Sequence, residues 1–268
     1  MSDDQTGTAR PAPNAQSYAE ATGLHDRVVI VTGASSGIGA ATAAAFARVG
    51  ARVVVSGRDP VRLRAVAGDI ARSGGQVLAV EADLAQAEHA ALPIRAAVDR
   101  WGGIDAMVLA AAFVERMPFA QQTAESFDRI WRVNTRAPFL AVNAALPHLS
   151  DGSSVVFMSS SSAHRAVSGL SAYAPSKAAL EGLARTLAVE LAPRTRVNVI
   201  VPGFVQTPIN DDKVALPGFV ERYLGKTPAG FLAQPDDLAD LSLFLCGTQS
   251  RYLTGQCITI DGGAGILG

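Results

Sequence analysis

Cysteine is scarce: two residues in 268, Cys246 and Cys257. That excludes a disulfide framework and reads as two buried thiols in a reducing compartment. Aromatic residues make up 6% of the chain and the net charge is −1. Such a balance offers no basic field for nucleic acid or anionic lipid. No run reaches the roughly 20 apolar residues of a membrane span. His25, His89 and His148 stand at no metal-ligand spacing from Cys or acids, so no metal is expected. Residues 1–23 mix Pro, Ala, Thr and Gln and lack the basic and apolar blocks of a signal peptide. They are expected to form a disordered tail ahead of one domain over 24–268, in a cytoplasmic protein.

What the chain has is regular alternation. Short β-branched runs fall at 27–32, 51–56, 76–81, 105–110, 153–159, 196–201 and 257–261. They are continuous rather than alternating, as expected of strands buried on both faces. Ala-rich helical stretches lie between them, at 37–49, 60–72, 86–100, 123–148, 172–192 and 235–246. The pattern predicts an α/β class: a doubly wound parallel sheet of the Rossmann type, about seven strands, in a single domain.

Gly33, Ser35, Ser36, Gly37, Ile38 and Gly39 follow the first strand and open the first helix. Glycine there permits a tight turn and close approach of a pyrophosphate, and the helix start offers free N–H groups. Two glycines separated by three residues make a spaced variant of the dinucleotide fingerprint. After the second strand comes Gly57-Arg58-Asp59. Gly57 stands where an NAD site would carry its acid, and Arg58 suits a 2′-phosphate. The competing reading has Asp59 swing back to the ribose with Arg58 solvated. NADP(H) is expected in preference to NAD(H). Asp83, followed by Leu84, either caps the next helix or meets the adenine edge.

At the other end of the predicted cleft, Tyr173 and Lys177 are four apart and share a helix face. A cation beside a phenol favours phenolate, which suits proton exchange near neutral pH. Ser160 lies at the C-terminal end of the fifth strand, where ligands sit in such sheets. His164 and Arg165, or Glu115 and Arg116, face either substrate or solvent. The stretch 205–233 is irregular and holds Leu216, Phe219, Val220, Tyr223, Leu224 and Phe231. It reads as a substrate cover, and its composition points to a largely apolar substrate.

TGASSGIG at 32–39, YAPSK at 173–177, Ser160 thirteen residues earlier and Pro202-Gly203 after the sixth strand together resemble the short-chain dehydrogenase/reductase family. The resemblance spans about residues 24–263. It implies Tyr173 as general acid/base, Ser160 orienting the substrate, and Lys177 binding the nicotinamide ribose and lowering the Tyr173 pKa. It also implies Asn134 holding a proton-relay water, and Pro202, Gly203, Val205 and Thr207 lining the nicotinamide end. A homotetramer (or homodimer) and a small-molecule carbonyl or alcohol substrate follow in the same way. One departure stands out: Leu109-Ala110-Ala111-Ala112 occupies the place of the family's Asn-Asn-Ala-Gly beside the adenine end. Members that reduce enoyl thioesters usually place six residues between Tyr and Lys; here there are three. Hydride transfer between NADP(H) and a carbonyl or secondary alcohol is the expected activity. An NAD-dependent dehydrogenase is the alternative, and a non-catalytic dinucleotide sensor a more distant one.

Overall fold

A computed structural model describes residues 20–266. Seven parallel strands run β1 (Val28–Thr32), β2 (Arg52–Gly57), β3 (Gln76–Glu81), β4 (Ile104–Leu109), β5 (Leu149–Met158), β6 (Thr195–Pro202) and β7 (Cys257–Ile260). Their order across the sheet is β3-β2-β1-β4-β5-β6-β7. The order reverses between β1 and β4, so a crevice opens at the carboxyl ends of these two strands.

The apolar runs hide a period of two. Val29, Val31, Val53, Val55, Val108 and Val156 point to one face, with helices α1 (Gly37–Arg48) and α9 (Pro235–Cys246). Val28, Ile30, Val54, Met107, Leu109 and Phe157 point to the other, with α3 (Leu92–Trp101), α5 (Ala137–Ala145) and α6 (Tyr173–Glu190). Helix α2 (Pro60–Arg72) flanks β2 and β3. Both faces are covered, so the strands are apolar along their centres. Strand β3 departs from that expectation: it is an edge strand and several of its residues are exposed.

The predicted 123–148 helix is interrupted. It divides into α4 (Ala124–Trp131), a π-turn at Arg132–Arg136, and α5, which carries Pro138 in its first turn. Residues 20–22, expected to be disordered, are helical. Thr22 is buried, and its carbonyl accepts from the Thr248 hydroxyl, which anchors this turn. Residues 1–19 of the expected tail lie outside the described residues. Cys246 is buried and Cys257 only half-buried, and both are free. Among the described residues no helix is long and apolar enough to cross a membrane.

Asp105 ties the base of the sheet together. Its Oδ2 accepts from the Val28 N–H at 2.8 Å and its Oδ1 from Arg27 at 2.9 Å. Replacing Asp105 by Ala leaves a buried N–H without its acceptor, at a cost of about 1–3 kcal/mol. Chemical denaturation of the variant reads this directly; a loss below roughly 0.5 kcal/mol contradicts the role.

Candidate active site

A single cleft of about 620 Å³ lies along the carboxyl ends of the strands. Every site residue expected from the sequence lines it except Asn134.

At one end the β1–α1 turn brings backbone into close contact. A Cβ on Gly33 would lie 2.6 Å from the Ala111 Cα, and one on Gly39 would lie 2.3 Å from the Gly33 carbonyl oxygen. Backbone cannot yield at those distances, so both positions require glycine. Thr32 Oγ1 accepts from the Ala111 N–H at 3.3 Å, which ties the turn to the end of β4. This is the place of the Leu109–Ala112 departure. Ala110, Ala111 and Ala112 line the cleft there, and Leu109 and Ala110 stand at the two positions where the family pattern has asparagines. Ser36 is the N-cap of α1 and makes no side-chain cap, so the first N–H groups of the helix face the cleft for an anion to accept. The cradle fits the pyrophosphate of a dinucleotide.

Next to it, Arg58 is exposed at the cleft wall, its guanidinium 6.0 Å from the Phe113 ring centroid. Asp59 is occupied elsewhere. Its Oδ1 accepts from the Val61 and Arg62 N–H groups, both at 3.0 Å, and its Oδ2 pairs with Arg62 Nε at 3.1 Å. The Arg62 N–H leads in holding its carboxyl below the usual range. A carboxylate spent on capping α2 is poorly placed to serve a ribose. Arg62 itself lines the cleft, a residue the sequence reading did not single out. Asp83 does not cap the next helical turn, whose N-cap is Gln86; its carboxylate accepts from the Ala85 N–H at 3.1 Å ahead of that turn, and the residue lines the cleft beside Leu84.

At the other end stand Ser160, Tyr173 and Lys177. Tyr173 opens α6, and Ser160 caps the short turn after β5, accepting from the Ser162 hydroxyl at 2.9 Å. Lys177 is fully buried, and its Nζ donates to the Met158 carbonyl at 2.8 Å. Burial draws its ammonium down to about 7. Burial also raises the Tyr173 phenol above 10, outweighing a hydrogen bond with Ser160 and the field of Arg116. That is opposite to the direction expected for a phenol beside a lysine. The physical reason is mutual: a lysine that itself sheds its proton near neutrality is only a partial cation, and its Nζ sits 5.9 Å from the ring centroid.

Asn134 is fully buried in the π-turn and does not line the cleft. Its Oδ1 accepts from the Phe113 N–H at 2.8 Å, while its Nδ2 donates to the Phe113 carbonyl at 2.9 Å and to Ser176 Oγ at 3.0 Å. Both amide hydrogens are committed, and the side chain fixes the loop after β4 and the start of α6.

Of the undecided pairs, Arg116 and Arg165 line the cleft, and Glu115 and His164 do not. Glu115 accepts from Ser126, and His164 Nε2 meets Glu181 at 2.8 Å. In the cover, helix α7 (Asp211–Val214) and helix α8 (Phe219–Leu224) follow the nicotinamide-end segment. Phe219 and Tyr223 stack and Phe204 packs tilted against both to form an aromatic wall, whereas Leu216 and Phe231 turn outward and are exposed.

A family model described as Enoyl-(Acyl carrier protein) reductase matches residues 33–265. The L-rhamnose 1-dehydrogenase (NAD(P)(+)) of Azotobacter vinelandii is 36% identical over 248 residues, which is 90% of this chain and 97% of that protein. A dehydrogenase/reductase from Sinorhizobium meliloti superposes with a TM-score of 0.87 at 37% identity, covering 93% of this chain and 99% of the other. A short chain dehydrogenase from Burkholderia cenocepacia, solved in complex with NADP, gives 0.85 at 33% identity, covering 90% and 98%. The fold agrees with these likenesses, and the chain belongs to the short-chain dehydrogenase/reductase family as a single-domain oxidoreductase.

Proposed function

We propose that this chain is an NADP(H)-dependent oxidoreductase that interconverts a carbonyl and a secondary alcohol, with residues 24–268 as the catalytic unit. The observation that carries the reading is one cleft with an anion-accepting glycine turn at one end and Ser160, Tyr173 and Lys177 at the other. When bound, the dinucleotide gives or takes a hydride. The β1–α1 turn would hold its pyrophosphate, and Pro202, Gly203, Val205 and Thr207 line the end where its nicotinamide belongs. Ser160 Oγ orients the substrate oxygen by a hydrogen bond. The Tyr173 hydroxyl delivers the proton to that oxygen on reduction and removes it on oxidation. Lys177 would reach the ribose. Three residues between Tyr173 and Lys177, rather than six, favour carbonyl chemistry over the enoyl reduction in the family model's description.

Phosphate preference rests on Asp59 being spent on its helix while Arg58 and Arg62 flank the cleft. A homotetramer in the cytoplasm is part of the same reading. Exposed Phe127 and Phe139, on α4 and α5, supply apolar surface for such an assembly to cover. Paired titration with NADPH and NADH tests the cofactor assignment. NADPH is expected to bind about 10- to 100-fold more tightly, as one or two charge-assisted hydrogen bonds allow, and Arg58→Ala removes most of that margin. Tighter binding of NADH overturns the phosphate assignment.

A further inference from the structure

The cleft carries more positive charge than a dinucleotide and a neutral carbonyl need. Beyond Arg58, Arg62 and Lys177, three further cations line it: Arg116 after β4, Arg165 after β5, and Lys213 on the cover helix α7. Three separate segments thus converge on the Tyr173 end. Among the described residues, the only carboxylates lining the cleft are Asp59 and Asp83, both at the adenosine end and both accepting backbone N–H groups. Among the described residues, none of the three cations has a carboxylate within ion-pair distance. Arg165 reaches only the Ser161 hydroxyl, at 3.3 Å, and Lys213 lies 5.9 Å from the Phe219 ring centroid.

The three also act on one another. Burial and then Arg116 pull the Lys213 pKa down, its chain neighbour Asp212 pulls it up by less than Arg116 does, and Arg165 adds a smaller downward pull. The field of Arg116 extends to the Tyr173 phenol. Like charges held together without a counterion are unfavourable, and an anion bound among them relieves that repulsion. Phe113, Phe204 and Tyr223 line the same cavity and give it an apolar wall.

We propose that the substrate carries an anionic group, a carboxylate or a phosphate, held by Arg116, Arg165 and Lys213 while its carbonyl meets Tyr173 and its apolar body lies on the aromatic wall. The inference rests on the oxidoreductase reading above and refines the expectation of an apolar substrate into an amphipathic one. Two guanidinium forks and an ammonium suit an oxyanion, because arginine offers paired N–H donors that match its geometry.

Binding tests this separately from turnover. The NADPH-loaded enzyme is titrated with benzoate, phenyl phosphate and benzamide, followed by calorimetry. At least one anion is expected to bind ten-fold or more tightly than benzamide, with the margin shrinking as salt rises; whichever anion binds better identifies the group. Arg116→Gln and Lys213→Gln should each remove most of the margin, Arg116→Lys should keep it, and NADPH affinity should be unchanged. Equal affinity for benzoate, phenyl phosphate and benzamide, or no binding of either anion, overturns the proposal. So does a fall in NADPH affinity of the Gln variants with the anion margin intact, which would give these cations to the cofactor. In parallel, 4-formylbenzoate and its methyl ester are offered for reduction. Anion selectivity without reduction of either aldehyde counts against the oxidoreductase reading and leaves the anion site standing.

Discussion

Replacing Tyr173 by Phe is expected to lower kcat by about 10²- to 10⁴-fold while NADPH affinity stays within a factor of about two. The substitution removes one oxygen and keeps the ring, so the packing at the start of α6 persists. Nothing else at this end of the cleft can replace the lost proton donor well. The Ser160 hydroxyl, which accepts from Ser162, can hydrogen-bond the substrate oxygen but is too weak an acid to release its proton, and the Lys177 ammonium is turned to the Met158 carbonyl. The cradle that would hold the dinucleotide is made of backbone at Gly33 to Gly39, remote from the phenol in sequence and built by another strand. Steady-state kinetics beside a binding titration separates the two effects. Turnover within ten-fold of wild type would remove Tyr173 from the mechanism.

Lys177→Met should affect both turnover and stability. Turnover falls by at least about 10²-fold, because the lysine would reach the ribose that positions the reacting ring; unlike Tyr173→Phe, the loss extends to cofactor affinity. The stability effect depends on pH. In the cofactor-free protein the Lys177 ammonium titrates near 7, against 10.5 in the unfolded chain. Between those values the unfolded chain holds a proton that the folded one lacks, so folding stability rises with pH. Below pH 7 both states are protonated and the full cost of burying the charge is felt. Above pH 10 the Tyr173 phenol, raised by burial, keeps a proton that the unfolded chain releases, and stability falls again. Cys246, pushed up to about 12, adds a similar decline above its ordinary value of 9.0. The difference between wild type and Lys177→Met isolates the lysine. Wild type should gain on the variant by several kcal/mol, on the order of 4, between pH 6 and 10. Parallel denaturation curves across that range would contradict the buried, depressed ammonium.

Much of this is legible in the sequence for physical reasons. A strand covered on both faces is apolar along most of its length, so Val28–Thr32 and Arg52–Gly57 stand out as β-branched runs between Ala-rich helices. The glycine turn is legible because only glycine tolerates backbone at 2.3–2.6 Å from its Cβ position. Tyr173 and Lys177 are legible because helical spacing of four puts both on one face. What fails is whatever depends on direction and competition. Asp59 could serve ribose or helix, and only the geometry of Pro60–Arg72 assigns it to the helix. The partners of the Asn134 amide are hidden in the same way, since Phe113 lies 21 positions away in the chain. The exposure of β3 follows from its edge position, which depends on strand order and not on its own residues. The direction of the Tyr173 shift turns on burial, which spacing does not carry. Arg116, Arg165 and Lys213 lie on three segments brought together only by the sheet's strand order and the cover.

The most direct test of the central claim is a fluorescence titration of the purified wild-type chain with NADPH, with Tyr173→Phe alongside and carbonyl turnover measured on both. Saturable one-to-one binding of equal affinity by both proteins, with turnover confined to the wild type, is the predicted result. Failure of the wild type to bind either NADPH or NADH would contradict the account at its root, since the glycine turn would then be holding no dinucleotide.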